Sequence, residues 1–233
     1  MKVLYWSPLF PPYVGGIEIL ASHFLPALVE RGHEVVVVSS HGALDLPDDD
    51  EWQGITVHRR RFTEALASGD AGRIVELVAD VRRLRRSIRP DVVHLNLSDA
   101  LGFFDLRSRA AHPAPTVLAV QVTVGPGGAT SLLSDLLRTA DVVTAGSAAS
   151  LDAAVAACPE VADRSRLILD GLPMIERPLT EPPPGPPVLV AAGRLVPEKG
   201  FDVALAALAE IRRSHPGARL RLIGDGPERD ALV

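Results

Sequence analysis

The chain has 233 residues, of which 47% are hydrophobic and 23% charged, and a formal net charge of −5. This composition is that of a soluble globular protein, and its acidic balance argues against a nucleic-acid partner, which calls for a basic surface. Aromatic residues make up only 4% of the chain, so we expect a core of aliphatic side chains.

The cellular location follows from three features of the sequence. Cys158 is the single cysteine, so no intrachain disulfide can form. No apolar run reaches the roughly 20 residues of a transmembrane helix, and the N-terminus enters a strand at once, without a signal-peptide pattern. We expect a cytoplasmic protein, with a peripheral membrane contact left open.

The first 40 residues predict a strand–helix–strand unit. Residues 2–6 are apolar, and after a loop rich in proline and glycine the apolar residues recur at helical spacing. The four valines at 35–38 are typical of a strand that is covered on both faces. Gly15 and Gly16 fall at the start of the helix, where exposed amides suit a phosphate. A plain helix entry explains this pair equally well.

Residues 40–54 are rich in acid and contain four consecutive carboxylates, Asp48 to Glu51. We predict a solvated loop here rather than a metal site, because consecutive carboxylates cannot all converge on one ion. The strand predicted at residues 55–60 ends in charged residues, so we place it near an edge of the sheet.

An amphipathic helix is predicted over residues 74–88. Its other face carries five arginines: Arg82, Arg83, Arg85, Arg86 and Arg89. The helix macrodipole favours cations at a solvated helix C-terminus, and this is one interpretation of the arginines. The alternative is that they dock on an anionic membrane.

Strands and helices continue to alternate up to residue 169. Four further strands are predicted, at residues 91–95, 116–121, 141–145 and 166–169. Right-handed crossovers then give a parallel, doubly wound, Rossmann-like α/β sheet. Ser147 is the predicted N-cap of the helix that follows the third of these strands.

Six prolines lie among residues 176–187 and predict a stiff, extended linker. Residues 1–175 would then form the N-terminal domain. Residues 188–233 begin a new strand–loop–helix–strand pattern, and they are fewer than the about 60 residues that usually sustain a separate core. We therefore expect them to be the opening of a second, incomplete α/β domain.

Arg194 and Lys199 fall on the first loop of this second domain, between the strand predicted at 188–192 and the helix predicted at 201–214. Two cations on a strand-to-helix loop can hold a diphosphate, although a surface cation beside a turn is the simpler interpretation of Arg194 alone. The Gly-x-Gly-x-x-Gly fingerprint, the phosphate-binding P-loop and the Gly-x-Ser-x-Gly elbow are missing. The histidines show no metal-ligand spacing, so no metal site is predicted.

Several segments resemble one known family. Residues 191–202, Ala-Ala-Gly-Arg-Leu-Val-Pro-Glu-Lys-Gly-Phe-Asp, and residues 222–228, Leu-Ile-Gly-Asp-Gly-Pro-Glu, resemble the start of the C-terminal domain of family-4 retaining glycosyltransferases, which have the GT-B fold. Residues 13–18, Tyr-Val-Gly-Gly-Ile-Glu, and residues 90–94, Pro-Asp-Val-Val-His, resemble segments of the family's N-terminal domain. The resemblance covers the whole chain, and residues 191–202 are its most specific part.

The resemblance implies a donor site for a nucleotide-diphosphate sugar. Arg194 and Lys199 would bind the diphosphate and stabilise the leaving group, while Gly15 and Gly16 would approach the donor from the acceptor-side N-terminal domain. A loop near the nucleotide would be formed by Gly224, Asp225 and Gly226. No cofactor and no metal are implied, since the helix end and the two cations take the place of a metal.

One position departs from the family pattern. The family often carries a histidine that points at the sugar, and Gln121 occupies that region here. Glutamine can hydrogen-bond a sugar hydroxyl but cannot act as a base near neutral pH. The sequence therefore gives a candidate sugar contact and no assigned catalytic residue.

The family's glutamate motif, with two acidic residues eight positions apart, contacts the donor further into the C-terminal domain, and this sequence ends before it. We expect a truncated glycosyltransferase that transfers little or no sugar by itself to its unidentified acceptor. The alternatives are a non-catalytic binding module or pseudo-glycosyltransferase, and a nucleotide-sugar epimerase or hydrolase of GT-B architecture. The oligomeric state stays open.

Overall fold

The structure is a computed structural model that describes residues 1–96, 99–121, 131–171, 174 and 185–232. The chain divides into two compact units, Met1–Met174 and Ile175–Val233, and each is described by itself. Most of the predicted proline-rich linker lies outside the described residues.

The first unit is built on one large sheet. Its described strands are β1 (Lys2–Ser7), β2 (Glu34–Ser40), β3 (Asp49–Trp52), β4 (Ile55–Arg60), β5 (Val92–Asn96), β6 (Thr116–Val120), β7 (Val142–Ala145) and β8 (Ser165–Leu167). Their spatial order is β3-β4-β2-β1-β5-β6-β7-β8. All neighbouring strands pair in parallel except β3 and β4, which are antiparallel. The predicted doubly wound sheet is confirmed.

Helices cover the sheet on both faces. The described helices of this unit are α1 (Gly16–Glu30), α2 (Phe62–Ser68), α3 (Ala71–Ile88), α4 (Asp99–Ser108), α5 (Ser131–Thr139) and α6 (Ala148–Ala157). On one face α1 packs on a cluster that includes Tyr5 and Val37. The larger cluster, on the other face, contains Trp6, Phe104 and Leu118. Successive residues of β1 therefore serve opposite cores, as the two-residue period of a strand requires.

Two helix ends show ordinary capping chemistry. The Ser147 side chain accepts a hydrogen bond from the backbone N–H of Ser150 at 3.1 Å, which confirms it as the N-cap of α6. At the end of α1, Gly32 adopts the left-handed conformation with φ of 79°, and the His33 N–H donates to the Leu28 carbonyl.

The acidic segment at residues 40–54 is not a loop throughout, so this prediction is wrong for β3. A two-residue turn at Gln53 and Gly54, both with positive φ, folds β3 back onto β4 as a hairpin. Asp49 and Asp50 find partners across this hairpin, because the His58 ring and the Arg59 guanidinium lie 2.7 and 2.9 Å from their carboxylates. The strand β4 is therefore second from the edge, and β3 is the outermost described strand on that side.

Arg85 is also placed differently from the sequence prediction, which put it on the exposed arginine face of α3. Its side chain is only 1% exposed, and its guanidinium lies 2.7 Å from the Asp105 carboxylate. The position belongs to the buried stripe of the helix, since Val81 and Ile88 lie four residues before it and three after it.

The second unit contains β9 (Val188–Ala192), α7 (Phe201–Ser214) and β10 (Arg219–Ile223), as predicted. The two strands pair in parallel. A short 3₁₀ turn, Pro197–Lys199, leads into the helix. No helix in the described ranges of either unit has the length and hydropathy needed to cross a membrane.

Candidate functional site

The loop that carries Arg194 and Lys199 leaves the carboxyl end of β9. Both side chains are exposed, and neither forms an ion pair with any residue that the structure describes. The loop is anchored through Leu195, which is 5% exposed, and through Phe201 at the start of α7, which is 4% exposed. Two free cations thus stand on a fixed backbone, where they can meet an anion.

The loop after β10 lies directly against this cation loop. The Leu195 N–H donates to the Asp225 carbonyl at 2.9 Å, and the Glu228 N–H donates to the Leu195 carbonyl at 3.1 Å. The structure therefore brings the predicted residues Gly224, Asp225 and Gly226 next to the loop of Arg194 at the carboxyl ends of two parallel strands.

The close contact of the two loops explains both glycines. A Cβ atom added at Gly224 would fall on the carbonyl oxygen of Gly193, and one added at Gly226 would fall on the carbonyl oxygen of Leu195. The obstructing atom is a backbone carbonyl oxygen in each case, so it cannot move aside as the end of a flexible side chain could. The glycines serve the packing of the two loops, whatever else they contact.

In the first unit, Gly15 is the N-cap of α1 and Gly16 is its first residue. No side chain caps this helix end, and a Cβ added at Gly16 would meet nothing within 4 Å, so the backbone is open to a ligand. A Cβ at Gly15 would meet the carboxylate of Glu18. The helix end therefore already faces one negative charge, which a phosphate would have to displace.

The loop that leads to Gly15 is held by side chains that the sequence did not single out. Arg59, 1% exposed, donates from Nη2 to the Pro11 carbonyl and from Nη1 to the Asp50 carboxylate, both at 2.9 Å. The Tyr13 hydroxyl donates to the His41 carbonyl at 2.7 Å. These contacts fix the loop against the carboxyl ends of β2 and β4.

Gln121 directly follows β6 and lines a pocket of about 510 Å³ in the first unit. Tyr5, His94, Asn96 and Asp170 also line it. Register explains part of this grouping, because Tyr5 of β1 pairs directly with His94 of β5. Gln121 is thus grouped with polar residues that the sequence analysis missed. The one signal that could have pointed to the pocket residues was a polar residue in or just after an otherwise apolar strand.

Burial favours the neutral form of two of these groups. Burial lowers the pKa of His94 to about 4, and its ring lies between Tyr5, at 5.1 Å, and Phe24, at 5.7 Å between centroids. Burial raises the pKa of Tyr5 to about 12. Neither residue carries a charge near pH 7. In the pocket each therefore offers an aromatic surface and one or two polar atoms.

A largely parallel α/β sheet with a helix N-terminus that no side chain caps, followed by a second α/β unit with two cations on its first loop, is an arrangement compatible with a glycosyltransferase of the GT-B fold. Residues 14–173 match the family model described as Glycosyltransferase Family 4, and residues 175–233 match that of Glycosyl transferases group 1. The chain belongs to glycosyltransferase family 4. The family predicted from the sequence is confirmed.

Individual relatives agree with this assignment. Glycogen synthase of Mycobacterium tuberculosis is 30% identical over 275 residues, which cover 100% of this chain and 64% of the relative. A GDP-mannose-dependent alpha-mannosyltransferase of the same species is 29% identical, with 100% of this chain and 65% of the relative covered. Sucrose-phosphate synthase from Thermosynechococcus elongatus shares the fold, with a TM-score of 0.74 at 19% identity over 98% of this chain and 63% of that one. The chain thus spans less than two thirds of these proteins.

Proposed function

We propose that the chain supplies the acceptor-side domain and the first part of the donor-binding domain of a retaining glycosyltransferase. In the whole protein an acceptor hydroxyl oxygen would bond to the anomeric carbon of a nucleotide-diphosphate sugar. The bond from that carbon to the phosphate oxygen would break, the hydroxyl proton would be released, and the anomeric configuration would be kept. Family membership supports this reaction, and the name of the mannosyltransferase relative supports a nucleotide-sugar donor.

The exposed, unpaired cations of the loop at residues 193–199 carry the proposal. The guanidinium of Arg194 and the ammonium of Lys199 would bind the diphosphate and stabilise the negative charge that develops as it leaves. These two charges supply the electrostatic role that a metal plays elsewhere, so the proposal needs neither a metal nor a cofactor.

The other predicted residues take supporting roles in this proposal. The backbone of Gly16, with Gly15 before it, would approach the donor, and the loop Gly224–Gly226 would contact the nucleotide. Gln121 would hydrogen-bond a sugar hydroxyl. No residue of the described chain is assigned as acid, base or nucleophile.

Calorimetric titration of the chain with UDP and with GDP tests the proposal. We expect one of the two to bind, and Arg194→Ala and Lys199→Ala each to weaken binding at least about tenfold, the loss expected for one charge-assisted hydrogen-bonding group. Arg213→Ala is the matched control, because this exposed arginine of the same unit pairs with Glu210 at 2.9 Å. Absence of binding by both nucleotides would favour a non-catalytic acceptor or partner module instead.

We also propose that the protein acts in the cytoplasm and that α3 touches an anionic membrane there. Four exposed arginines, Arg82, Arg86, Arg89 and Arg107, support the contact. None of them forms an ion pair with a described residue, and Arg82 donates to the Arg107 carbonyl at 2.9 Å, so α3 and α4 share one basic surface. Each such cation contributes about 1 kcal/mol near an anionic surface.

Co-sedimentation with vesicles of phosphatidylglycerol and phosphatidylcholine tests this contact. We expect binding that falls with rising salt and that is lost when Arg82, Arg86 and Arg89 are all changed to Gln. The control changes three exposed arginines elsewhere, Arg166, Arg213 and Arg219, to Gln and removes the same charge. Equal losses in the two triple variants would show a non-specific charge effect and no membrane face.

A further inference from the structure

The pocket in the first unit is lined by residues of α1 and of the strands β5, β6 and β7. Leu20 and Phe24 line it from α1, and Val117, Ala119 and Thr144 line it from the strands. Its volume of about 510 Å³ is within the range of small-molecule sites, about 300 to 1,000 Å³.

The walls of the pocket are largely apolar. Phe24 and the rings of Tyr5 and His94 form one side, and Phe24 remains 37% exposed although it is aromatic. At the other side Ile168 and Leu169 are 59% and 70% exposed. Large apolar side chains left open to water around one concave space favour a ligand with an apolar ring or chain, since its binding removes that surface from water.

Besides Tyr5 and His94, five described residues with polar side chains line the pocket: His23, Asn96, Gln121, Thr144 and Asp170. The Asn96 side chain is buried and donates to the Trp6 carbonyl at 3.1 Å, so the protein holds its amide in place. The Gln121 amide and the Asp170 carboxylate also line the space. These groups can accept or donate hydrogen bonds to a hydroxyl.

The charge of the pocket restricts its ligand further. None of the lining residues that the structure describes is a lysine or an arginine. The His94 ring is neutral near pH 7 because burial lowers its pKa, and His23, which is exposed, is the other described histidine of the lining. Asp170 adds a carboxylate. A phosphate group would find no guanidinium or ammonium among these residues and would meet a negative charge, so it would lack the charge-assisted hydrogen bonds that such cations supply.

We propose that this pocket binds a neutral molecule with an apolar ring or chain and at least one hydroxyl group, and that it rejects phosphorylated sugars. That this molecule is the acceptor of sugar transfer rests on the function proposed above. Within that function, the pocket selects an acceptor with an apolar portion over a sugar phosphate.

Titration of the 233-residue chain with three probes tests the proposal: octyl β-D-glucoside below its micelle concentration, glucose, and glucose 6-phosphate. We expect saturable binding of octyl β-D-glucoside at least about tenfold tighter than that of glucose, because only the former has an apolar chain to bury. Glucose 6-phosphate should not bind. Tighter binding of glucose 6-phosphate than of octyl β-D-glucoside would overturn the proposal.

Two variants of α1 separate the pocket from general adsorption. Phe24→Ala removes part of the apolar wall and should weaken octyl β-D-glucoside binding at least about fivefold. Val29→Ala is the matched control, since Val29 is on the same helix, 42% exposed and outside the pocket lining, and it should bind as the unchanged chain does. Equal affinities for the two variants would mean that the detergent adsorbs elsewhere, and the proposal would fail.

The same samples titrated with UDP and GDP distinguish this proposal from the function on which it rests. Nucleotide binding without octyl β-D-glucoside binding would remove the pocket proposal and leave the donor site. Octyl β-D-glucoside binding without nucleotide binding would keep the pocket as a ligand site and remove the donor site.

Discussion

The guanidinium of Arg59 on β4 lies 2.9 Å from the carbonyl oxygen of Pro11, in the loop between β1 and α1. This hydrogen bond joins the carboxyl end of one strand to the segment that positions the helix N-terminus at Gly15. The side chain is 1% exposed, so few other groups can replace it.

Arg59→Met should therefore lower the free energy of unfolding of the first unit by about 2 kcal/mol, because a part-buried carbonyl and a part-exposed carboxylate lose their donor. Chemical denaturation followed by the fluorescence of Trp6 and Trp52, the two tryptophans of the chain, measures it. The control Arg61→Met should cost less than about 0.5 kcal/mol, since Arg61 is 52% exposed and lies 3.8 Å from Glu64. Equal costs would show that the contact with Pro11 adds nothing.

Asp105→Asn should destabilise the first unit more strongly, by about 3 to 5 kcal/mol. The Asp105 carboxylate is fully buried and lies 2.7 Å from Arg85 and 2.8 Å from Arg109. Its neutralisation leaves the Arg85 guanidinium buried with no counter-charge. The same tryptophan fluorescence reports the change.

The control for this variant is Asp135→Asn on α5. That carboxylate is 57% exposed and pairs with Arg138 at 3.0 Å, so its loss should cost less than about 1 kcal/mol. A small cost for Asp105→Asn would mean that Arg85 finds water or another acceptor.

His94 should make the stability of the first unit pH-dependent in a defined window. Its folded-state pKa of about 4 lies below the ordinary value of 6.5, so the unfolded chain binds a proton first as pH falls. The His94 contribution is fully present above pH 6.5 and is lost between pH 6.5 and 4. We expect a loss of about 2 kcal/mol, less than the full shift implies, because the ring lines an open pocket.

His94→Phe should flatten this part of the profile, and urea unfolding at a series of pH values measures it. His215→Phe, at an exposed position in the second unit, is the control and should leave the slope of the first unit unchanged. If His94→Phe kept the same slope of stability against pH as the unchanged chain, a group other than His94 would be responsible for it.

Gly226→Ala should loosen the second unit, because the added Cβ would fall on the carbonyl oxygen of Leu195. We expect a cost of about 2 kcal/mol or more, seen as faster amide hydrogen exchange in β9 and β10. Gly193→Ala is the control, since a Cβ there would meet only the Phe201 ring at 3.5 Å. Unchanged exchange in Gly226→Ala would show that the two loops move apart easily.

The sequence was sufficient for the order of the main elements because a parallel sheet leaves a strong signal. Buried strands such as the valine run at 35–38 read as continuous apolar segments, and the helices between them show the 3.6-residue period. The strand β3 gave no such signal. Its aspartates are stabilised by the arginines of β4, Arg59 and Arg60, and that pairing exists only once the hairpin forms.

The candidate site was predictable to a different extent in each unit. Arg194 and Lys199 stand next to glycines on a strand-to-helix loop, and the resemblance of residues 191–202 to the family selected them; their role at the diphosphate stays a prediction. Tyr5 and His94 lie in strands covered on both faces, where periodicity does not tell which side chain lines a pocket. Only the pairing of β1 with β5 brings them together.

The hairpin of β3 and β4 also bears on how the protein behaves at high concentration. An outermost strand offers unpaired backbone N–H and C=O groups to any other exposed strand. Here that strand is four residues long and its sequence is Asp-Asp-Glu-Trp. Asp49 and Asp50 pair with residues of β4, and Glu51 forms no ion pair within the described residues. A short edge strand with charged side chains disfavours strand-to-strand aggregation.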